Sequence, residues 1–310
     1  MHDQAQTLRK LVQECVRQPE PPSHPAVLLV VGAKRGVGTT SLAAHLAVAF
    51  QQLQRATILI DASPSGGDLA LVCRAEAGPS LAEIQAGHYT LAEALRPGPA
   101  GIQILGGPSP VETVLSARHD AMDPRWIGQL AQASPSTEVI VVDGGSGPND
   151  SIEALWPVSH AVLLVLAPDP AAVVNGYAVL KLLRSAGDPL VYCLVNRAAS
   201  AAAAGAVFGR IHRASRRFLG LEPRPAGFVP EDPMIGSMDA MAAPLVLGRR
   251  PAPARERLIR AACAVGEALH AETAEEFSVI SCQERFNPEP NPDRYTRTLS
   301  VADQPLNFAD

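Results

Sequence analysis

The most constraining stretch of this chain lies near its start. Five apolar residues, Val27-Leu28-Leu29-Val30-Val31, run into Gly32-Ala33-Lys34-Arg35-Gly36-Val37-Gly38-Thr39-Thr40-Ser41, and an Ala/Leu-rich helical pattern follows from Leu42 to Phe50. A strand that passes through a glycine-spaced loop straight into a helix leaves the first-turn N–H groups facing the loop, where they can cradle phosphates. Gly36 and Gly38 let the backbone wrap an anion without side-chain clash. Thr40 or Ser41 can present a hydroxyl to Mg²⁺. A plain glycine turn is the alternative, and the flanking strand and helix argue against it. One part is missing, however. The lysine that usually precedes the hydroxyl residue is replaced by Thr39, and Lys34 sits at the start of the loop instead.

Further along, apolar runs alternate with helical patterns. Candidate strands are 26–32, 57–61, 102–105, 138–143, 160–166 and 189–195; helices are expected near 39–53, 80–95, 123–133, 171–186, 200–219 and 254–270. Runs such as Val139-Ile140-Val141-Val142 and Ala161–Leu166 do not alternate with polar residues, so they suit strands covered on both faces. The fold class is therefore α/β: a doubly wound, mostly parallel sheet flanked by helices. Two strands end in a carboxylate, Asp61 after Thr57–Ile60 and Asp143 before Gly144-Gly145-Ser146-Gly147. An Asp at a strand end beside a phosphate loop is where a nucleotide-bound Mg²⁺ or its water is held. Either one alone could equally be a turn or capping residue.

Charge and cysteine usage exclude several function classes. The formal net charge is −5, and residues 271–310 alone hold eight acidic and three basic residues, so the first 270 are balanced. No basic stripe of the kind that tracks nucleic acid is visible, and no nucleic-acid partner is expected. Lys10, Lys34 and Lys181 are the only lysines, which draws attention to a lysine in the loop. The five cysteines lack metal-ligand spacing and read as reduced thiols of a cytoplasmic protein. No apolar run is long enough to span a bilayer.

The ends have their own organisation. Residues 1–18 read as an N-terminal helical element capped by Asp3, with Ala5, Leu8, Val12 and Cys15 at helical spacing, and 19–25 as a Pro-rich linker. The body is expected at 26–270 and an acidic, disordered tail at 271–310. Leu258, Ala262, Val265 and Leu269 form a stripe on the last helix, preceded by arginines from Arg249 to Arg260. Such a stripe can pack on the core or lie on a membrane surface, and its alanines favour the core.

Together these residues resemble a family. Ala33–Thr40 is similar to the deviant phosphate loop of the MinD/ParA ATPases, pattern K-G-G-x-G-K-T-T; Asp61 falls on the first Asp of their D-x-D element, and Asp143–Gly147 on their switch segment. Pro168–Lys181 resembles the P-E-P-T-S-x-x-D-A-Y-x-x-I-K stretch of the FlhG group of flagellar number regulators, also called YlxH or FleN. Leu194–Arg197, Gly205–Ile211, Arg217–Gly220 and Gly227–Pro233 follow the same group, and Asp3-Gln4-Ala5-x-x-Leu8-Arg9 matches its N-terminal D-Q-A-x-x-L-R motif.

The resemblance implies a MinD/ParA-type fold that binds ATP and Mg²⁺. Ala33, Lys34, Arg35, Gly36, Val37, Gly38, Thr39, Thr40 and Ser41 would surround the phosphates, and Asn196 and Pro230 the adenine. Thr40, Asp61 and Asp143 would hold Mg²⁺ directly or through water; Asp61 and Lys34 are the catalytic candidates. In the family Lys34 would reach the nucleotide of a second subunit in an ATP-sandwich homodimer. Asp3, Gln4, Ala5, Leu8 and Arg9 would engage the signal-recognition-type GTPase FlhF, and the body the C-ring proteins of the flagellar basal body. The implied location is the cytoplasm, peripheral at the inner face of the membrane near a pole. Three departures predict slow or absent hydrolysis: Thr39 for the phosphate lysine, Arg35 for a glycine, and Ser63 for the second Asp of D-x-D. A competent ATP-dependent dimerisation switch is one alternative. A polar scaffold for pilus assembly like CpaE/TadZ, which share the G-V-G-T-T loop, is another.

Overall fold

The computed structural model describes residues 25–106 apart from 65–67, 77, 80–82 and 85, then 125–232 apart from 186, 188 and 189, and finally 253–275. The N-terminal element, its linker and the acidic tail beyond 275 lie outside the described residues.

The longest apolar runs become the centre of an eight-stranded sheet. Strands β1 (Ala26–Gly32), β2 (Thr57–Asp61), β3 (Arg96–Pro97), β4 (Gln103–Leu105), β5 (Val139–Ser146), β6 (Ala161–Leu166), β7 (Val191–Asn196) and β8 (Arg224–Val229) lie in the order β3-β4-β2-β5-β1-β6-β7-β8. Every pairing is parallel except the short antiparallel contact of β3 with β4. All seven residues of β1 are buried, as a strand sandwiched between two layers requires.

The helices are α1 (Thr39–Gln52), α2 (Asp68–Cys73), α3 (Leu91–Ala94), α4 (Arg125–Ala133), α5 (Asp150–Leu155), α6 (Pro170–Ser185), α7 (Ala201–Leu219) and α8 (Pro253–Glu275). The chain leaves β1 leftward to β2 and later leaves β6 rightward to β7. Right-handed crossovers in opposite directions put their helices on opposite faces. Accordingly α1 packs with α8 on one face, and α6 packs with α7 on the other. The reversal falls beside β1, so the loop after β1 opens at the crevice where such sheets take ligands.

Helix α1 is covered twice, by the sheet and by α8, and every residue from Leu42 to Phe50 is buried. Leu258, Ala262, Val265 and Leu269 are buried to within 1% of full. The stripe on the last helix therefore belongs to the core and is not presented to a membrane. Among the described residues no helix is long and apolar enough to cross one.

Four differences from the sequence-based expectation have physical causes. The helix expected over 80–95 is interrupted: Glu83 and Ile84 are helical, Gly87 takes φ +76°, and Thr90 restarts the helix as the N-cap of α3 in a capping box with Glu93. Strand β8 escapes detection because Pro225 and Gly227 interrupt its apolar run; it is an edge strand, where proline is tolerated, and its pairing with β7 slips between Cys193 and Leu194. Helices α2 and α5 are too short to establish a period. Helix α8 continues to Glu275, past the boundary that composition sets at 270.

Candidate nucleotide site

The loop after β1 is shaped by two left-handed glycines, Gly36 at φ +81° and Gly38 at φ +90°. Gly38 is the N-cap of α1, and among the described residues no side chain caps that helix. No acidic residue lies in its first turn. The first-turn N–H groups of a fourteen-residue helix are thus left without a side-chain acceptor, in the geometry and field that suit an anion. Lys34 is half-buried, and Arg35 and Gly36 are exposed at the mouth.

The far side of the loop is pinned from β7. Asn196, buried at the strand end, donates from Nδ2 to the Val37 carbonyl at 2.8 Å, while its Oδ1 accepts the Arg197 N–H at 3.0 Å. A Cβ on Gly38 would stand 2.6 Å from that Nδ2. Asn196, expected at the adenine, is seen to hold the glycine loop to the sheet. Pro230 follows β8 at the same edge and is half-buried.

Thr39 decides the chemistry of the cradle. It is only 5% exposed, and its Oγ1 lies 3.4 Å from Ser146 Oγ on β5. A Cβ on Gly32 would collide with that same Oγ1. The hydroxyl is therefore turned down onto the ends of β1 and β5, and position 39 offers the cradle no cation. Sequence reasoning did not single out Ser146. Its signal was its place three residues after Asp143, in register with Gly32 across β1 and β5.

The two carboxylates expected at strand ends come together, although only Asp61 ends its strand: β5 continues past Asp143 to Ser146. Asp61 and Asp143 sit directly opposite each other in the β2–β5 pairing, and both are buried. Each oxygen Oδ1 accepts a backbone N–H two residues on, Ser63 for Asp61 at 3.1 Å and Gly145 for Asp143 at 3.0 Å. Ser63 stands beside Gly145, whose Cβ would come within 2.8 Å of its hydroxyl. Among the described residues no group of three or more His, Cys, Asp or Glu could bind a metal by itself. Two carboxylates and a threonine hydroxyl are a hard-oxygen set, which fits Mg²⁺ completed by water and phosphate better than zinc.

Lys34 Nζ is held 3.1 Å from Asp169 Oδ2, with both side chains about a third exposed. Asp169 also N-caps α6, accepting the Ala172 N–H at 2.8 Å with Pro170 at the first helical position. Partial burial pushes the Asp169 carboxyl up, but hydrogen bonds from Ala172 and Lys34 outweigh it and hold the group below the usual carboxylate range. Asp169→Ala is expected to lose about 1 kcal/mol of stability with the cap. Asp169→Asn should retain most of it while also releasing Lys34, and chemical denaturation of the two variants separates the roles.

Comparison with known proteins bears on this geometry. Residues 26–175 match the family described as cellulose biosynthesis protein BcsQ. The antiactivator FleN of Pseudomonas aeruginosa is 29% identical over 67% of this chain and 75% of its own. The flagellum site-determining protein YlxH of Helicobacter pylori is 23% identical over 61% of this chain and 64% of its own. The septum site-determining protein MinD of Pyrococcus horikoshii, solved with Mg-ADP, superposes with a TM-score of 0.62 at 21% identity, covering 81% of this chain and all of the other. The chain is similar in sequence to FleN and YlxH and has the MinD/ParA fold.

One buried histidine near the loop has a perturbed proton affinity. His45 on α1 donates from Nδ1 to the Ser41 carbonyl at 2.7 Å, and its buried Nε2 has no hydrogen-bond partner among the described residues. Burial lowers its pKa, against the opposing pulls of Ser41 and Asp232. A histidine harder to protonate folded than unfolded costs nothing above the unfolded value of about 6.5. Below that pH the unfolded chain takes up the proton first, and stability falls. Denaturation midpoints should therefore drop between about pH 7 and 5.5, and His45→Leu should flatten that slope.

Proposed function

We propose that this protein regulates flagellar number and placement in the manner of FlhG, with a phosphate loop that binds Mg·ATP but hydrolyses it very slowly or not at all. The relatives named an antiactivator and a flagellum site-determining protein support the flagellar part. The observation that carries the nucleotide part is Thr39 turned onto Ser146, beneath a loop whose glycines and helix N-terminus stay open. Lost phosphate neutralisation in a partly dry site should cost several kcal/mol in the transition state. Ser63 removes the carboxylate that would position water.

In this reading the backbone from Ala33 to Ser41 takes the phosphates, Thr40, Asp61 and Asp143 take Mg²⁺, and Lys34 exchanges Asp169 for the nucleotide of a second subunit when a dimer forms. The segment Asp3–Arg9 engages an FlhF-like GTPase, and the body engages C-ring proteins at a cell pole. The test is FlhF GTP turnover with a peptide of residues 1–20. Stimulation that disappears in Leu8→Ala and Arg9→Ala peptides supports the assignment. Equal stimulation by the variants removes the motif as the activator, whereas no stimulation at all removes the assignment and favours the CpaE-like scaffold.

A further inference from the structure

Helix α7 carries Arg210, Arg213, Arg216 and Arg217 on its exposed side and contains no acidic residue. Arg216 and Arg217 lie in its last turn, where the helix dipole favours cations, but Arg210 and Arg213 do not. Among the described residues only Glu222 forms an ion pair with any of them, to Arg216 at 3.2 Å. Next to them Phe218 is 67% exposed, with the Arg217 guanidinium 5.3 Å from its ring centroid. Arg213, Ala214, Arg216, Arg217 and Phe218 line one shallow groove. A cationic groove with an exposed aromatic at its lip suits an extended acidic segment with its own apolar side chains.

The chain contains such a segment, and its root lies at the right edge. Arg257 near the start of α8 stacks on Phe228 near the end of β8, while Gly266 lies against Phe50 at the end of α1. Helix α8 therefore runs antiparallel to the strands, and Glu275 leaves the domain at the edge where the strands begin. The last turn of α7 is at that edge too, since Leu219 is followed by the start of β8 at Arg224. Both helices pack on β8, from opposite faces. Beyond Glu275 come 35 residues with six acidic and three basic side chains, among them Phe277 and Phe286. Fully extended they span about 115 Å, ample to pass along that edge from the face of α1 and α8 to the face of α7.

We infer that the acidic segment 276–310 folds back in cis onto the Arg213–Phe218 groove of α7 and covers it. The experiment places an indole in the groove through Phe218→Trp, in the full chain and in a chain ending at Glu275, with Trp126 and Trp156 subtracted from the parent proteins. Acrylamide should quench this indole several-fold less in the full chain. The difference should vanish in about 0.5 M NaCl, where the Debye length is roughly 4 Å, and in Arg213→Glu/Arg217→Glu. Phe218 is exposed, so the variant should fold as the parent does, with circular dichroism as the check. Equal quenching with and without the tail overturns the inference. So does protection that grows with protein concentration, which would assign the groove to the tail of a second copy.

Discussion

Thr39→Lys is expected to tighten Mg·ATP binding by about 10- to 100-fold. A hydrogen-bonded charge on a phosphate is worth roughly 1.5–3 kcal/mol, and each 1.4 kcal/mol is a factor of ten. The substitution forfeits only the 3.4 Å approach of Thr39 to Ser146, a long contact between two hydroxyls. It also places an ammonium at a position only 5% exposed. Without nucleotide the variant should therefore be less stable than the parent, because a charge has been withdrawn from water. Mg·ATP should reverse that deficit. Calorimetry for affinity and thermal unfolding with and without Mg·ATP read the two effects separately. Ser146→Ala serves as the control and should change neither by much. A Thr39→Lys protein that binds no better than its parent would mean that the cradle is not shaped for a triphosphate.

Gly38→Ala should abolish nucleotide binding and lower stability by about 2–4 kcal/mol, combining left-handed strain with overpacking. Gly38 has φ +90°, and the new Cβ would lie 2.6 Å from Asn196 Nδ2. Relief requires Asn196 to give up its bond to the Val37 carbonyl, which frees the loop from β7. Gly36→Ala is the informative companion. Gly36 has a similar φ of +81°, but no atom lies within 4 Å of its would-be Cβ. It should cost about 1 kcal/mol and leave the Asn196 clamp intact. Urea unfolding of the pair measures the clamp as the difference. Equal losses would show that backbone strain alone accounts for both.

The parts of the fold legible in the sequence were those written locally. Val27–Val31, the glycine spacing and Leu42–Phe50 lie within one βα unit, and their order alone sets the loop at a helix N-terminus. The unbroken runs of β5 and β6 announced a sheet covered on both faces. What stayed hidden was non-local or broken by exceptions. Asn196 meets Val37 across 159 positions, and Thr39 meets Ser146 across 107, so neither contact leaves a local pattern. Strand β8 was masked by Pro225 and Gly227, which an edge position tolerates. In 80–95 an Ala/Leu-rich pattern was broken in two by Gly87 and by the capping box at Thr90. Asp61 was legible as a strand end, whereas β5 runs on past Asp143 through Gly144 and Gly145 to Ser146, and the placement of the two opposite each other follows only from β5 entering between β1 and β2. The N-terminal motif was legible as sequence and lies outside the described residues.

The central claim is a phosphate loop that holds Mg·ATP with almost no turnover. The most direct test titrates Mg·ATP into the full chain by calorimetry, with Lys34→Ala as the comparison, and follows phosphate release in the same samples. Saturable binding weakened in Lys34→Ala is predicted, with turnover at least about a hundredfold below that of a Thr39→Lys/Ser63→Asp variant. No binding at millimolar Mg·ATP would contradict the claim. Turnover equal to that of the double variant would contradict it as well, and would make the chain a competent ATP-dependent switch.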